Sequence, residues 1–390
     1  MTSTRHIAVR WYAFGYLREV VLMYPVYAIM MGANGITPLE LSALFIVWSG
    51  SALIFEVPSG VLADRYSRKR LLVASGLIKG AVFVVWWFVP DFWGYLCGFI
   101  VWGFGSSLVS GTSESFLFDT LKQRGQTDAF ARIYGRGSMA NSLGVATALA
   151  CGGYAAQTGY ALPLLQSAAM PMLASLVAAL TFVEPPRSGR PHSHARLADT
   201  LAAGFQEVRG NRAMRWTIAM FAGLATAYGE LDEYVGPFLT ETRAFSLGAI
   251  GVIYASLYAM RTIGMEAAHR LSARSLRAIA IVLAVSTLSL AASTLVSGYA
   301  IAVAIGAYFA LTAASEVLLQ TQLQHQIEGT ARATVTSLAK MAQHACEPVY
   351  LLYIGGIAQS WSFSAAFAAV AALTFALAVV FAMTAPTQGR

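Results

Sequence analysis

Twelve apolar runs set the limits on what this chain can become. They lie at 8–31, 40–63, 71–90, 92–120, 130–156, 160–183, 214–240, 246–268, 276–297, 299–324, 333–357 and 362–384. A bilayer's hydrocarbon core is ~30 Å thick, so roughly 20 helical residues cross it. The runs have that length. In hydrocarbon every backbone N–H and C=O needs an internal partner, which a helix supplies within one segment. The runs therefore predict an all-α integral membrane protein with twelve transmembrane helices, spans one to twelve, in two pseudo-symmetric six-helix bundles. The composition fits lipid as the main solvent: 57% of the 390 residues are hydrophobic and 12% are charged, against about a quarter charged in a soluble protein.

Most connections are short. The long one, 184–213, is Pro-rich and then charged. It divides the chain into an expected N-terminal bundle at 1–183, a cytoplasmic linker at 184–213 and a C-terminal bundle at 214–390. Within the linker Leu197, Leu201, Phe205 and Val208 recur at helical spacing. This pattern fits an amphipathic helix on the membrane surface or a solvated linker helix.

The net charge of +7 would point to nucleic acid in a soluble protein; here basic loops account for it, and no nucleic-acid partner is expected. One set of loops holds Arg65, Arg68, Lys69 and Arg70, then Lys122 and Arg124, the basic residues from Arg187 to Arg215, then Arg270, Arg274, Arg277 and Arg332. The other set holds Arg243. Basic loops stay cytoplasmic, so both termini are expected in the cytoplasm of a multi-pass protein of the cell (inner) membrane. The N-terminus runs directly into the first apolar run, without the pattern of a cleaved signal peptide. Cys97, Cys151 and Cys346 sit in apolar segments and make no CxxC pair, so neither a disulfide framework nor a metal site is indicated.

The halves echo each other. Tyr16 and Pro25 of span one match Tyr228 and Pro237 of span seven at the same offset. Ser113-Glu114 with Leu117 in span four matches Ser315-Glu316 with Leu319 in span ten. Both repeats fit a parallel internal duplication.

Between spans two and three stands Gly60-Val-Leu-Ala-Asp-Arg-Tyr-Ser-Arg-Lys-Arg-Leu-Leu72. It resembles the major facilitator signature G-x-L-a-D-r-x-G-r-k-x-x-l, in the same loop of the same topology. Gly60, Leu62, Ala63, Asp64, Arg65, Arg68, Lys69 and Leu72 match, while Ser67 replaces the usual glycine. The resemblance implies the major facilitator fold and secondary transport by rocking alternating access. It also implies a conformational latch around Asp64, Arg65 and Arg68: the loop's acid meets the positive end of span eleven, and Arg68 pairs with Asp119 at the end of span four. The plainer reading is a topogenic charge cluster.

Two further signatures of the family are eroded. The span-five antiporter motif is reduced to Gly144, Ala148, Leu149, Gly152 and Gly153, without its central Gly-Pro. Span four carries Ser106 and Ser107 ahead of Gly111, where an arginine is usual. The series from Ser110 to Glu114, then Asp119, then Arg132 to Arg136 resembles bacterial drug/proton antiporter-type exporters.

An ionisable side chain at the centre of a membrane helix costs roughly 2.5–3.5 kcal/mol on insertion scales, so it faces a cavity or a partner. Tyr12, Tyr16, Glu19 and Met23 share one helical face of span one. Glu19 is the expected proton- or cation-handling group; a structural pair with Arg18 or another helix is the competing reading. Glu230, Asp232 and Glu233 of span seven form a cation-attracting vestibule or a gate. Lys340, His344 and Glu347 of span eleven form a polar stripe suited to gating or coupling. Arg261 of span eight is expected to neutralise Glu19 or a span-seven acid. Glu56, Glu114 and Glu316 are further intramembrane acids, and Glu56 is expected to pair with Lys79 across the span two–three hairpin.

The chain carries no G-x-x-x-x-G-K-[ST], H-E-x-x-H or G-x-S-x-G, and no cofactor or enzyme activity is expected. The expected function is proton-coupled efflux of a small amphipathic compound by a monomer. Proton-coupled uptake of a small polar nutrient, or a non-transporting membrane receptor, are the alternatives.

Overall fold

The computed structural model describes residues 4–110, 112–184, 205–242, 244–268, 275–327 and 332–386. Side chains of Asp64 and Tyr228 lie outside the described residues, as do Leu197 and Leu201 of the expected linker helix.

The regular secondary structure of the described residues is all helical. Its helices are α1 Thr4–Glu19, α2 Tyr27–Ala33, α3 Pro38–Arg65, α4 Arg68–Phe88, α5 Phe92–Ser107, α6 Thr112–Lys122, α7 Phe130–Ala155, α8 Ala161–Thr181, α9 Arg212–Met220, α10 Thr226–Glu241, α11 Leu247–Ala268, α12 Leu276–Ser293, α13 Tyr299–Gln326, α14 Arg332–Ser360 and α15 Phe363–Thr384. Among the described residues eight helical segments are long and apolar enough to cross a membrane by themselves. The spans that fall short are one, five, seven and eleven, for physical reasons. Span one is split between α1 and α2. Span seven joins α9 to α10 through a π turn at Phe221–Ala225. Spans five and eleven are diluted by polar and small residues, among them Asn141, Gly152 and Gly153 in the one and Gln343, His344 and Glu347 in the other. The surface agrees with a lipid environment: Phe88, Trp93, Leu180, Val303 and Met383 are all more than two-thirds exposed, as a soluble surface seldom allows.

Helix starts are written locally. Thr37 and Glu40 form a capping box, with Pro38 opening α3. Asp91 accepts from the Gly94 N–H at 3.0 Å to begin α5. Ser362 caps α15, where Glu241 also accepts from the Phe363 and Ser364 N–H groups at 2.7 and 3.1 Å.

The chain divides into two compact units, Met1–Arg190 with Ser246–Tyr254, and Pro191–Phe245 with Ala255–Arg390. In the first, α3 lies on α5 through the ring pairs Phe45–Phe99, Trp48–Trp102 and Phe55–Phe104. Trp86, Tyr95, Phe99 and Phe83 are almost wholly buried there, so these aromatics form a core and not a belt at the lipid interface. Small residues bring α4 against α8: a methyl at Gly76 would stand 2.5 Å from the Pro171 carbonyl oxygen, and one at Gly80 2.6 Å from that of Ala168. In the second unit, Met220, Ile279, Ala280, Leu319 and Ala378 share a core, and Phe238 stacks on Phe367 at 4.4 Å. Val208 packs beside Met214, Leu323 and Val335, while Phe205 is exposed.

Candidate functional site: a buried charge network at the break in span one

Span one stops being a helix at Glu19 and resumes at Tyr27. Pro25 lies in the gap. Its missing N–H and the clash of its ring with the carbonyl four residues back weaken a helix there, although Pro58, Pro171, Pro237 and Pro348 each lie inside one. A break inside a membrane exposes backbone groups that must find partners. Spans six and three supply them. Gln166 donates to the Val20 carbonyl at 3.0 Å and accepts from the Leu22 N–H at 3.1 Å. Ser167 Oγ accepts from the Met23 N–H at 3.0 Å. Lys79 Nζ donates to the Arg18 carbonyl at 3.0 Å. On the remaining side α7 closes in without side chains: a methyl at Gly152 would lie 2.1 Å from the Leu22 carbonyl oxygen, and one at Gly144 2.6 Å from that of Tyr16. Gly144 and Gly152, two of the three glycines that remain of the antiporter motif, thus serve here as the floor of the break.

Within this frame Lys79, only 4% exposed, meets Glu19 Oε2 at 2.9 Å and Tyr24 Oη at 2.8 Å. With the Arg18 carbonyl, these contacts use all three donors of its ammonium. Tyr24 Oη in turn donates to Glu19 Oε2 at 2.7 Å. Arg18 Nη1 approaches Glu19 Oε1 at 3.3 Å. The Lys79 ammonium also stands 5.4 Å from the centre of the Tyr24 ring and 5.9 Å from that of Trp102, within cation–π range. Glu19 is thus held by two cations and a phenol at the last residue of α1, directly before the stretch of its span that is not helical.

This arrangement corrects two sequence expectations. Lys79 does not pair with Glu56, whose Oε1 instead accepts from Ser110 Oγ at 3.0 Å. The small residues Gly76 and Gly80 draw α4 onto α8, while aromatic packing draws α3 onto α5. Lys79 therefore turns toward span one, whose freed carbonyl rewards the ammonium. The second correction concerns the shared face of Tyr12, Tyr16, Glu19 and Met23, which ends at Glu19. Met23 sits beyond the helix, fully buried in the gap. Tyr16 Oη reaches Thr147 Oγ1 at 3.4 Å, and Tyr12 packs against the cluster of Trp11, Phe14 and Phe116.

The loop between spans two and three is anchored twice. Arg68 forms an ion pair with Asp119 of α6. Glu184, just past α8, accepts from the N–H groups of Arg68 and Lys69, each at 2.9 Å, and from Ser67 Oγ at 2.5 Å. A carboxylate there also meets the positive end of the α4 dipole. Glu184 was not singled out in the sequence; the signal was an acid placed directly after span six. Arg65 is exposed.

In the second unit, Arg261 lies 3.6 Å from Glu316 and within electrostatic reach of Asp232. His344 Nδ1 and Glu347 Oε1 are 2.6 Å apart. Glu230, Asp232 and Glu233 are partly buried along α10. Glu316, Gln320, Thr336, Lys340 and Gln343 line a cavity of about 350 Å³. Tyr350 Oη donates to the Gly223 carbonyl inside the π turn, the counterpart in span seven of the partners found at the span-one break. In the first unit Glu114 Oε1 accepts from Tyr134 Oη at 2.6 Å.

The sequence profile described as Major Facilitator Superfamily matches residues 13–347. The chain is 26% identical over 255 residues to an uncharacterized MFS-type transporter, YxaM, of Bacillus subtilis (strain 168); the match covers 63% of this chain and 61% of that relative. Its fold is similar to that of the nucleoside transporter NupG, with a TM-score of 0.79 at 11% identity over 98% of both chains. It is also similar to a bacterial homologue of the human lysosomal transporter Spinster, with a TM-score of 0.71 at 16% identity over 98% of this chain and 96% of the other. A D-xylose-proton symporter aligns with a TM-score of 0.68 at 12% identity over 99% and 98%. The matched profile, the membrane-length helices and these near full-length fold similarities lead to one assignment: the chain is a multi-pass membrane protein that belongs to the Major Facilitator Superfamily, a family of transporters and not of enzymes.

Proposed function

We propose that this protein is a proton-coupled secondary transporter that exports a small amphipathic compound by alternating access, with Glu19 carrying the coupled proton. The observation that supports this most is the network of Glu19, Lys79, Arg18 and Tyr24 at the break in span one. The two cations must move off this carboxylate before it takes a proton; that step changes the local charge by a full unit and leaves Lys79 without its main partner. Such a change beside a non-helical stretch couples protonation to backbone rearrangement, the element a rocking transporter needs. Export is the direction that fits the resemblance of spans four and five to bacterial exporters. In this reading the chain acts as a monomer in the cell membrane with both termini cytoplasmic. Its bundles, 1–183 and 214–390, rock about the linker, and the Arg68–Asp119 pair latches one end state. The second-unit groups Glu230, Glu233, Arg261, Lys340, His344 and Glu347 line the route or gate it.

Reconstitution tests coupling and direction together. Purified protein is placed in liposomes with a pH-sensitive dye in the lumen, and a panel of radiolabelled amphipathic cations and aromatic sulfonates is offered outside. An acidic lumen should drive accumulation of at least one compound while protons leave, relative to empty liposomes. Accumulation only with an alkaline lumen would mean proton symport, and therefore uptake. Absence of flux under both gradients would favour a receptor.

A further inference from the structure

Lys79 is saturated, but Arg18 is not. Its guanidinium has five donors, and Nη1 approaches Glu19. Its Nε is buried from solvent and has no hydrogen-bond partner. A buried unpaired donor on a charged group is costly and calls for an explanation. Arg18 lines a cavity of about 90 Å³ together with Trp11, Phe14, Ser113, Ser138 and Asn141. Ser138 uses its hydroxyl on the Tyr134 carbonyl at 3.2 Å; the Ser113 hydroxyl and the Asn141 amide supply further polar groups. Trp11 and Phe14, with ring centres 6.2 Å apart, form an aromatic wall.

The charge count points the same way. Arg18 and Lys79 bring two positive charges to the network, and Glu19 is the carboxylate in ion-pair contact with them among the described residues. Glu114 is turned to Tyr134 at the cavity's edge. The buried network therefore carries an excess of one positive charge, which a low-dielectric setting penalises until an anion arrives. A guanidinium edge suits a planar carboxylate best. The volume accommodates a carboxylate head, and the wall accommodates the first apolar group attached to it.

We propose that this cavity is a recognition subsite for the carboxylate head of an amphipathic, preferably aromatic, anion. This rests on the transport reading above and names the substrate class for it. Bound there, the anion neutralises Arg18 and leaves Glu19 to Lys79, so occupancy and the state of the proton-carrying group become linked.

The test is thermal unfolding of the purified full chain in detergent, with sodium benzoate as the anionic probe. Sodium chloride at equal ionic strength and phenethylammonium chloride are the comparison salts. Benzoate should raise the unfolding midpoint by a few degrees in a saturable way, while phenethylammonium should not. Arg18→Gln should abolish the rise, and Arg18→Lys should weaken apparent affinity at least severalfold. Asn141→Ala should weaken it similarly while melting like wild type without benzoate, which keeps the test decisive if Arg18→Gln fails to fold. No benzoate-specific rise, an equal rise in Asn141→Ala, or a larger rise with phenethylammonium would overturn the proposal. Proton-driven flux that persists alongside such a result would overturn the anion subsite alone and leave the coupling role of Glu19 standing.

Discussion

Lys79→Met is expected to cost about 3 kcal/mol of stability, because removing one partner of a buried ion pair strands the other. The stranded group is Glu19, which keeps Arg18 at 3.3 Å and Tyr24 at 2.7 Å and so is not wholly unpaired. The same change also leaves the Arg18 carbonyl, freed by the helix break, without its donor. Methionine matches the length of the lysine stem, so packing against Tyr24 and Trp102 is preserved and the loss reports on polar contacts. The double variant Glu19→Gln, Lys79→Met removes both charges and should recover more than half of the loss. Thermal unfolding of purified Lys79→Met, Glu19→Gln and the double variant is the measurement. A Lys79→Met protein that melts like wild type, or a double variant less stable than both single variants, would show that the network does not hold the break.

The second large effect is expected at the loop between spans two and three. Arg68→Ala and Asp119→Asn each remove a charge-assisted hydrogen bond, worth about 1.5–3 kcal/mol. If that bond exists in one end state of the cycle and not in the other, the loss shifts their populations by roughly 10- to 100-fold. Turnover should fall by about that factor, with expression and binding near normal. The swap Arg68→Asp with Asp119→Arg should restore part of the flux. Flux measured per mole of reconstituted protein decides it: unchanged flux in both single variants, or a swap no better than either, would reduce the pair to a structural tie. Glu184→Gln separates the two anchors. It weakens the cap on α4 without touching the Arg68–Asp119 pair, and should lower stability more than turnover.

The spans were legible because their signal is crude and strong: a membrane demands a certain length of apolar helix and punishes departures. The pairing partner of Arg68 followed from the family signature and not from spacing. The charge network was only half legible. Glu19 and Arg18 stood out as intramembrane charges, but the sequence places Lys79 by depth alone and does not say which way its face turns. That is decided by Gly76 and Gly80, which bring α4 to α8, and by the aromatic seam that takes α3 to α5. Such choices depend on which helix fits closest, a property of pairs of surfaces. The break in span one leaves only a weak local mark: Pro25 removes one donor and blocks one acceptor, yet Pro237, its match in span seven, lies inside α10, so the proline alone does not tell a break from a kink. Glu184 was hidden for a different reason. A carboxylate outside a span looks like any solvated linker acid until a helix N-terminus is seen to fold back onto it.

Glu19 is the group on which proton coupling rests. In proteoliposomes carrying Glu19→Gln, a compound that wild type moves against its gradient should no longer accumulate when a pH gradient is imposed, and lumenal pH should not respond to it. Exchange of labelled for unlabelled compound, with no pH gradient, should continue at a rate comparable with wild type, because exchange needs the site and the conformational change but no net proton movement. Full gradient-driven accumulation by Glu19→Gln, with the wild-type proton flux, would contradict the assignment of the coupled proton to this carboxylate.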